Sequence, residues 1–406
     1  MPPGLHLLIS AQFASALADN ALLIVTIALL QEQGAPLWWA PLLKLGFTLA
    51  YVLLAPFVGP VADAVPKARL MAWMNGVKLL GTLALLMGLH PVLAYAIVGL
   101  GAATYAPAKY GLVTELVKAQ WLVKANGWLE VTVVCAALLG AALGGVLVSP
   151  WLQDLLPQGL GLRGPVLVLI GVYLLAGLLN LGIPDSGARY VAASRHPQQL
   201  LREFWRDHLS LWRDPDGGLS LAVTTLFWGA AATLQFAVLR WAADVLELPL
   251  DRAAGLQAVV ALGVMLGAAA AGRWVPLHAA KRMLGLGLLL GLIMVAAATT
   301  ESLWPAIALL ALVGAVGGLL VVPLNALLQH RGCVLLSAGR SIAVQGFNEN
   351  ASVLAMLCCY AALLALEVPV VQLIWGLGLF IAGAIALLMW REKRRLLRQP
   401  AACAPT

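Results

Sequence analysis

The sequence predicts an all-α integral membrane protein with twelve transmembrane helices in two six-helix bundles. Of its 406 residues, 62% are hydrophobic and 11% are charged, and the mean hydropathy is +0.92. Soluble domains carry about 25% charged residues, so this composition excludes a water-soluble globular protein. One long polar stretch, 184–218, interrupts the apolar chain near its middle. We therefore expect an N-terminal bundle at 1–183, a cytoplasmic linker at 184–218, a C-terminal bundle at 219–390 and a basic tail at 391–406.

The helices are predicted from apolar segments of about 20 residues, the length that crosses a hydrocarbon core. The first segment continues well beyond the small residues at 15–18, so we interpret it as an uncleaved span rather than a signal peptide. The predicted spans are 7–30, 38–62, 70–88, 91–115, 125–148, 164–183, 219–243, 252–275, 283–300, 303–328, 341–365 and 368–390.

The distribution of basic residues predicts that both termini face the cytoplasm. With that orientation most of the 25 lysines and arginines lie on the cytoplasmic side, and the opposite side holds only Arg163 and Arg252. Cytoplasmic loops of membrane proteins carry such an excess of basic residues. We interpret the net charge of +7 as topology and contact with anionic membrane lipids, and we expect no binding to nucleic acid.

The linker contains an amphipathic stretch with the periodicity of a helix. Its apolar face is formed by Leu200, Leu201, Phe204, Trp205, Leu211 and Trp212. The residues off this face include Arg202, Glu203, Arg206 and Asp207. Two interpretations remain open: a helix that lies on the inner membrane surface, or a linker helix with partial apolar cover.

An internal repeat relates the two halves of the chain. The sequence "NGWLE" at 126–130 matches "QGFNE" at 345–349, and "GAATYAP" at 101–107 matches "GGLLVVP" at 317–323 at nearly the same offset. Both matches predict that the halves are parallel repeats around an axis along the membrane normal. That arrangement resembles the one found in major facilitators.

Polar stripes run along the first and eleventh predicted spans. The first stripe contains Gln12, Ser15, Asp19 and Thr26, and the second contains Ser341, Gln345, Asn348 or Glu349, and Ser352. Polar groups at this depth must face protein or water rather than lipid. Asp19 and Glu349 lie near mid-membrane beside the amides Asn20, Asn348 and Asn350. We expect these two carboxylates to bind a polar ligand. In the alignment of the two repeats, Asp19 corresponds to Gln235.

Other charged residues within the predicted spans allow more than one interpretation. Lys109 and Glu130 lie at similar depth, where they would either form a bracing ion pair or contact a ligand. Lys44 and Arg240 lie near the outer ends of their spans, where long side chains reach the interface. The role of Lys78, deeper in the third span, stays open.

The loop after the second span carries a recognisable motif. The sequence "GPVADAVPKAR" at 59–69 resembles the major facilitator signature of this loop, with Gly59, Asp63, Lys67 and Arg69 in place. It departs from the signature at position 64, where alanine replaces the usual basic residue, and at position 66, where proline replaces the usual glycine. The resemblance implies that Asp63 belongs to the inner gate rather than to the substrate site.

Seven segments together resemble the bacterial lysophospholipid transporter family of the major facilitator superfamily. They are 11–23, 54–63, 75–81, 105–111, 122–130, 321–332 and 343–352. The family implies a flippase that moves lysophosphatidylethanolamine and lysophosphatidylglycerol from the outer to the inner leaflet of the bacterial inner membrane by alternating access. It also implies a functional partner, an acyltransferase/acyl-carrier-protein synthetase, that re-acylates them during phospholipid remodelling. Family members can carry a basic residue where this chain has Gln235.

Such a substrate offers an anionic phosphate and, in one form, an ammonium group. Lys124 or Arg240 could meet the phosphate, and Asp19, Glu130 or Glu349 could meet the ammonium. The expected substrate-binding residues are Gln12, Asp19, Asn20, Lys124, Glu130, Gln235, Arg240, Gln345, Asn348 and Glu349. The expected structural ion-pair or gate residues are Asp63, Lys67, Arg69, Lys78 and Lys109.

The same residues allow two functions other than transport of lysophospholipids. A proton-coupled exporter of amphiphilic drugs would use the same buried carboxylates as proton carriers. A membrane-embedded acyltransferase would need a His-x4-Asp pair, and here Asp214 follows His208 by six positions rather than five, so we expect no enzyme. The five cysteines show no metal-ligand spacing. We expect no disulfide, metal or cofactor, and a monomer.

Overall fold

The computed structural model describes residues 3–35, 39–155, 160–190 and 196–398, and all regular structure in these ranges is helical. This confirms the predicted all-α class. The first seven helices are α1 (Pro3–Glu32), α2 (Trp39–Ala64), α3 (Lys67–Leu86), α4 (Pro91–Leu116), α5 (Leu122–Leu147), α6 (Pro150–Leu155) and α7 (Arg163–Leu181). They are followed by α8 (Pro197–Arg213), α9 (Pro215–Asp244), α10 (Leu250–Trp274), α11 (Gly285–Ala298), α12 (Leu303–Leu335), α13 (Ala338–Ala365) and α14 (Val370–Arg398).

Eleven helical segments of the described chain are long and apolar enough to cross a membrane. The predicted third span corresponds to α3, whose polar residues keep it outside that set. Of these, Lys67, Asn75, Lys78 and Thr82 are buried, because α3 packs against α4 and α7. The twelfth crossing therefore stays a prediction, with α3 as its helix.

The helices form two groups that pack mainly within themselves. Helices α1–α5 and α7 form an N-terminal bundle, and α9–α14 form a C-terminal bundle. One apolar core lies wholly within each bundle, and two further cores contain residues of both bundles. We call the end where α1 begins and α14 ends the basic end, since Arg391, Lys393 and Arg394 lie there.

At the basic end the bundles touch along two seams, α2 against α13 and α5 against α10. Glycines permit the close approach. A Cβ atom at Gly339 of α13 would lie 2.6 Å from the carbonyl oxygen of Gly59 in α2, and one at Gly127 of α5 would lie 2.7 Å from the carbonyl oxygen of Ala268 in α10. Real Cβ atoms do not make contacts this short. Both seams therefore require glycine, which has no side chain, at these positions.

Two helix starts at this end are fixed by capping side chains. Asp214 precedes α9, and its carboxylate accepts hydrogen bonds from the backbone of Asp216 (3.2 Å) and Gly217 (2.7 Å). Arg331 also donates to this carboxylate, at 2.6 Å. Burial alone would raise the pKa of the Asp214 carboxyl, but these hydrogen bonds and the Arg331 charge hold it below its usual value. At the start of α13, Ser337 accepts from the backbone of Arg340 at 3.4 Å.

Several helix ends differ from the predicted spans. α12 and α14 continue beyond residues 328 and 390 at the basic end, and α9 begins before residue 219. Hydropathy marks where the apolar segment stops, whereas backbone hydrogen bonding continues into polar sequence. The predicted span 283–300 is α11, preceded by a 3₁₀ segment, Leu277–Leu284.

Candidate functional site

Asp19 of α1 lies in a buried cluster inside the N-terminal bundle. Its Oδ2 atom is 2.6 Å from Nζ of Lys78, and its Oδ1 atom accepts a hydrogen bond from the Tyr173 hydroxyl at 2.8 Å. Lys78 also donates to Ser15 Oγ (2.9 Å), which donates to Asn75 Oδ1 (2.7 Å). The Lys78 side chain is 2% exposed and that of Asp19 is 16% exposed. Lys78, whose role the sequence left open, is thus the ionic partner of Asp19.

The cluster ties α1 to α3 and α7, because the Asp19 carboxylate of α1 binds Lys78 of α3 and Tyr173 of α7. A buried ion pair persists when further hydrogen bonds satisfy its remaining atoms, and here Tyr173 and Ser15 supply them. Gln12, one turn earlier than Ser15, is also buried. This arrangement suits a brace within the N-terminal bundle.

A cavity of about 610 Å³ lies between the two bundles, farther from the basic end than the contacts that join them. Helices α1, α2 and α5 line it from one side and α9–α12 and α14 from the other. Its polar lining comes from Asn20, Lys44, Glu130, Gln235 and Gln257. The rest is apolar and reaches into the C-terminal bundle at Leu290, Met294 and Ile381. The cavity therefore has a polar part between the bundles and an apolar part within one of them.

Glu130 is the acidic residue of this cavity. Its residue surface is 7% exposed, and no hydrogen bond or ion pair to its carboxylate occurs in the described part of the chain. Lys109 is equally buried, but its Nζ lies over the Tyr110 ring, 4.1 Å from the centroid, and forms no ion pair with Glu130 there. Lys109 and Glu130 therefore interact only over a longer distance than an ion pair, and a ligand contact of the Glu130 carboxylate stays a prediction.

A hydrogen-bonded chain of amide side chains, which we call the amide network, crosses between the bundles. Asn126 of α5 donates to Oε1 of Gln329 (2.8 Å) and accepts from its Nε2 (3.0 Å). Asn325 donates to Oδ1 of Asn126 (3.3 Å) and accepts from Gln345 of α13 (2.6 Å). Gln345 also donates to Glu349 Oε1, at 2.8 Å.

The amide network joins the two copies of the internal repeat. Asn126 and Gln345 open the matching sequences, and both bond to Asn325 of α12. Glu349 is held by this network, whereas its counterpart Glu130 faces the cavity. Asn325 and Gln329 were not among the predicted site residues. Their spacing of four placed them on one helix face, but nothing in the sequence identified the facing helix.

The loop motif lies where the two bundles meet at the basic end, at the position that the resemblance predicts to be the inner gate. The Asp63 carboxylate accepts hydrogen bonds from the backbone of Gly339 (2.8 Å) and Arg340 (3.3 Å) and from the hydroxyl of Ser337. A carboxylate at a helix N-terminus satisfies free N–H groups and the helix dipole. Lys67 lies 3.4 Å from Asp63. The first turn of α13 is thus held by the end of α2 from the other bundle.

Lys67 links this gate to α4. Its Nζ lies 2.6 Å from Glu115, whose carboxylate also accepts from the hydroxyls of Ser186 and Tyr190. Arg69, the other basic residue of the motif, is exposed. The buried part of the motif therefore braces the gate, and Arg69 lies outside it.

The two cations expected to meet phosphate lie away from the cavity. Lys124 is exposed near the basic end, with its Nζ 5.4 Å from the Trp121 ring centroid. Arg240 is exposed and forms an ion pair with Asp244 at 3.0 Å. The cation that lines the cavity is Lys44, in the second turn of α2.

Asn348 also lies outside the cavity, against α8. Its Oδ1 accepts a hydrogen bond from Trp212 Nε1 at 3.2 Å. His208 lies on the same side of α8, while Asp214 caps α9 and binds Arg331. His208 and Asp214 therefore do not form an acyltransferase-like pair.

Comparison with known proteins places the chain in a family. A model of the Major Facilitator Superfamily matches residues 8–344. The lysophospholipid transporter LplT of Citrobacter koseri is 41% identical over 396 residues, 96% of each chain. The LplT protein of Escherichia coli (strain K12 / DH10B) is 42% identical over 395 residues, again 96% of each.

Solved structures show the same fold at low identity. FucP, a major facilitator in its outward conformation, has a TM-score of 0.74 at 15% identity and covers 95% of this chain and 98% of its own. A bacterial homologue of the iron transporter ferroportin in its outward-facing state has a TM-score of 0.72 at 15% identity, with 98% and 100% covered. From the fold, the family model and these relatives together, the chain belongs to the Major Facilitator Superfamily and, within it, to the family of the lysophospholipid transporter LplT.

Proposed function

We propose that this protein transports lysophospholipids, taking lysophosphatidylethanolamine and lysophosphatidylglycerol from the outer to the inner leaflet of the bacterial inner membrane. The observation that carries the proposal is the cavity between the bundles, whose polar part adjoins a deep apolar part. A lysophospholipid has the same division into a polar head and one acyl chain. The LplT relatives, at more than 40% identity over nearly the whole chain, support the same substrate class.

Glu130 is the group we assign to the ethanolamine ammonium. A buried carboxylate without a partner is costly, and a bound ammonium offsets that cost through a charge-assisted hydrogen bond. Lys44 lines the same cavity and supplies a cation for the phosphate. Asn20 and Gln235 supply amides for the glycerol hydroxyl and the ester. The acyl chain would occupy the apolar part near Met294.

Alternating access would begin from the geometry described here, which is closed at the basic end. The contacts that close it are the Asp63 bonds to α13 and the amide network. Opening that end requires these bonds to exchange partners while one bundle rocks against the other, the general motion of this fold. We take the basic end as cytoplasmic on the charge distribution, so the present geometry would receive substrate from the outer leaflet.

The product of this transport is a lysophospholipid in the inner leaflet. An enzyme that acylates its free hydroxyl must then restore the diacyl lipid. We propose the acyltransferase/acyl-carrier-protein synthetase as that functional partner, with the transporter acting as a monomer.

The test is a sidedness assay on spheroplasts. Labelled lysophosphatidylethanolamine is presented outside, and uptake is measured as labelled diacyl product. Glu130→Gln should reduce uptake about tenfold or more, since a hydrogen bond to a charged group contributes about 1.5–3 kcal/mol. Asp244→Asn, an exposed carboxylate on α9, is the matched control and should transport normally. Uptake at the unmodified rate by well-inserted Glu130→Gln would overturn the assignment.

The drug-exporter alternative makes a different prediction for the same variant. An exporter that carries protons on Glu130 would lose pH-dependent efflux of cationic amphiphiles, while lysophospholipid uptake would be absent in both proteins. Measuring both activities in one set of spheroplasts separates the two functions.

A further inference from the structure

Helix α8 carries distinct rows of side chains around its axis. One row, formed by Phe204, Asp207 and Leu211, is buried against the bundles. The apolar face predicted from the sequence is therefore divided, because two of its members turn inward. The remaining large apolar residues form an exposed row, which contains Leu201, Trp205, Leu209 and Trp212.

A row of arginines borders the exposed apolar row. Arg202, Arg206 and Arg213 follow each other at steps of four and seven, so they share one side of the helix. All three are exposed, and none forms an ion pair within the described residues. The exposed side of α8 is thus apolar along one line and cationic along the next.

The acidic residues of α8 do not neutralise these arginines. Glu203 and Asp207 both bind Arg340 of α13, the latter at 3.2 Å. Burial raises the pKa of the Asp207 carboxyl, and the Arg340 charge opposes that rise. Both carboxylates therefore form their ion pairs on the protein side and none with the arginine row, although Asp207 still attracts the neighbouring Arg206 charge.

The position of α8 is fixed at the point where the chain enters the C-terminal bundle. Its last residue is followed directly by Asp214, the cap of α9, and Trp212 is hydrogen-bonded to Asn348 of α13. Trp205 also packs against the ring of Phe347 in α13, so the exposed apolar row lies alongside the first three turns of a helix that is long and apolar enough to cross a membrane. A row of apolar and tryptophan side chains beside a row of cations is the pattern of a helix that lies in a lipid interface.

We propose that the exposed face of α8 is a binding surface for anionic phospholipids in the leaflet at the basic end. The arginine row contacts their phosphates through charge-assisted hydrogen bonds, and the row with Trp205 and Leu209 enters the acyl region. This surface lies apart from the cavity and is independent of which substrate the cavity carries. Of the two interpretations of the linker it favours the membrane-surface helix, which stays a prediction that the experiment below tests.

The test measures phosphatidylglycerol binding to the purified full-length protein by native mass spectrometry, with phosphatidylcholine as the neutral comparison. The variant is Arg202→Gln with Arg206→Gln and Arg213→Gln. Each basic residue near an anionic surface contributes roughly a factor of five to binding, so phosphatidylglycerol affinity should fall about tenfold to a hundredfold, with phosphatidylcholine unaffected. The corresponding triple lysine variant should keep most of the binding.

The matched control removes the same charge elsewhere at the basic end, through Arg273→Gln, Arg282→Gln and Arg391→Gln, all exposed and without an ion pair in the described residues. It should bind phosphatidylglycerol nearly as the unmodified protein does. Equal losses in the two triple variants would show that net charge alone attracts the lipid and would overturn the proposal. Unchanged binding in the α8 variant would also overturn it and leave this face to another protein.

Discussion

Asp19 and Asn20 are adjacent in sequence and have different surroundings. Successive residues of a helix point about 100° apart, so Asp19 reaches Lys78 while Asn20 lines the cavity. Both were predicted to contact substrate, because their polarity and depth are alike. A stripe on one helix shows which residues share a face, but it does not show which neighbouring helix that face meets.

Replacing Asp19 should destabilise the protein. Asp19→Asn leaves Lys78 as a buried charge without an anion, at an expected cost of about 3–5 kcal/mol. The measurement is the unfolding midpoint of the purified protein in detergent. The charge exchange Asp19→Lys with Lys78→Asp should recover part of the loss.

Asn20→Ala is the control for that experiment. It changes the cavity wall and leaves the ion pair intact, so it should lower uptake without lowering the midpoint. If Asp19→Asn instead unfolds at the unmodified midpoint and fails to transport, Asp19 acts on substrate and the brace assignment is wrong.

At the scale of elements, the sequence predicted most helices and missed how they meet. Long apolar segments located the spans, and the repeat located Asn126 and Gln345 as counterparts. It could not show that both would bond to Asn325, because that contact depends on the packing of α5, α12 and α13. The predicted apolar face of α8 likewise combined residues that are buried against the bundles with residues that are exposed. Hydrophobicity alone does not distinguish contact with protein from contact with lipid.

The amide network should show energetic coupling between α5 and α12. Asn126→Ala and Gln329→Ala each leave a buried amide without its partner, at about 1–3 kcal/mol, whereas the double variant removes both. We expect the double loss to fall short of the summed losses by about 1 kcal/mol. Denaturant titration in mixed micelles measures the free energies of unfolding.

The control cycle pairs Asn126→Ala with Thr82→Ala. Thr82 lies in α3 and bonds to the backbone of Lys78, away from the network. Its effect should add to that of Asn126. Simple additivity in the Gln329 cycle as well would mean that the two amides act independently.

At the scale of the whole molecule, the two bundles are held together at one end. The seam between α2 and α13 depends on Gly59 and Gly339, and Asp63 crosses it. The loop motif predicted a gate residue at Asp63 by resemblance. It did not predict the partner, because the start of α13 is far away in sequence.

Gly339→Ala should shift the molecule toward an open basic end. The added Cβ would lie 2.6 Å from the Gly59 carbonyl oxygen and 2.8 Å from the Asp63 carboxylate, and such overpacking costs about 1–3 kcal/mol in the closed form. The open population should rise about tenfold, since 1.4 kcal/mol corresponds to a factor of ten. Spin labels at Ala64 and Leu335 would report it as a longer distance.

Gly346→Ala is the matched control on the same helix, because a Cβ there meets nothing within 4 Å. It should leave the distance distribution unchanged. A Gly339→Ala distribution that also matches the unmodified protein would mean that the seam absorbs the methyl group without opening.

The composition of the amide network has an electrical consequence. A unit charge that crosses a membrane potential of 100 mV changes its energy by about 2.3 kcal/mol. Asn126, Asn325, Gln329 and Gln345 carry no formal charge, and the charged part of the gate, at Asp63, lies at the end of α2. Separating the four amides therefore moves no formal charge through the field, and Glu349, which accepts a hydrogen bond from Gln345, is the acidic side chain bonded to them on which the membrane potential acts.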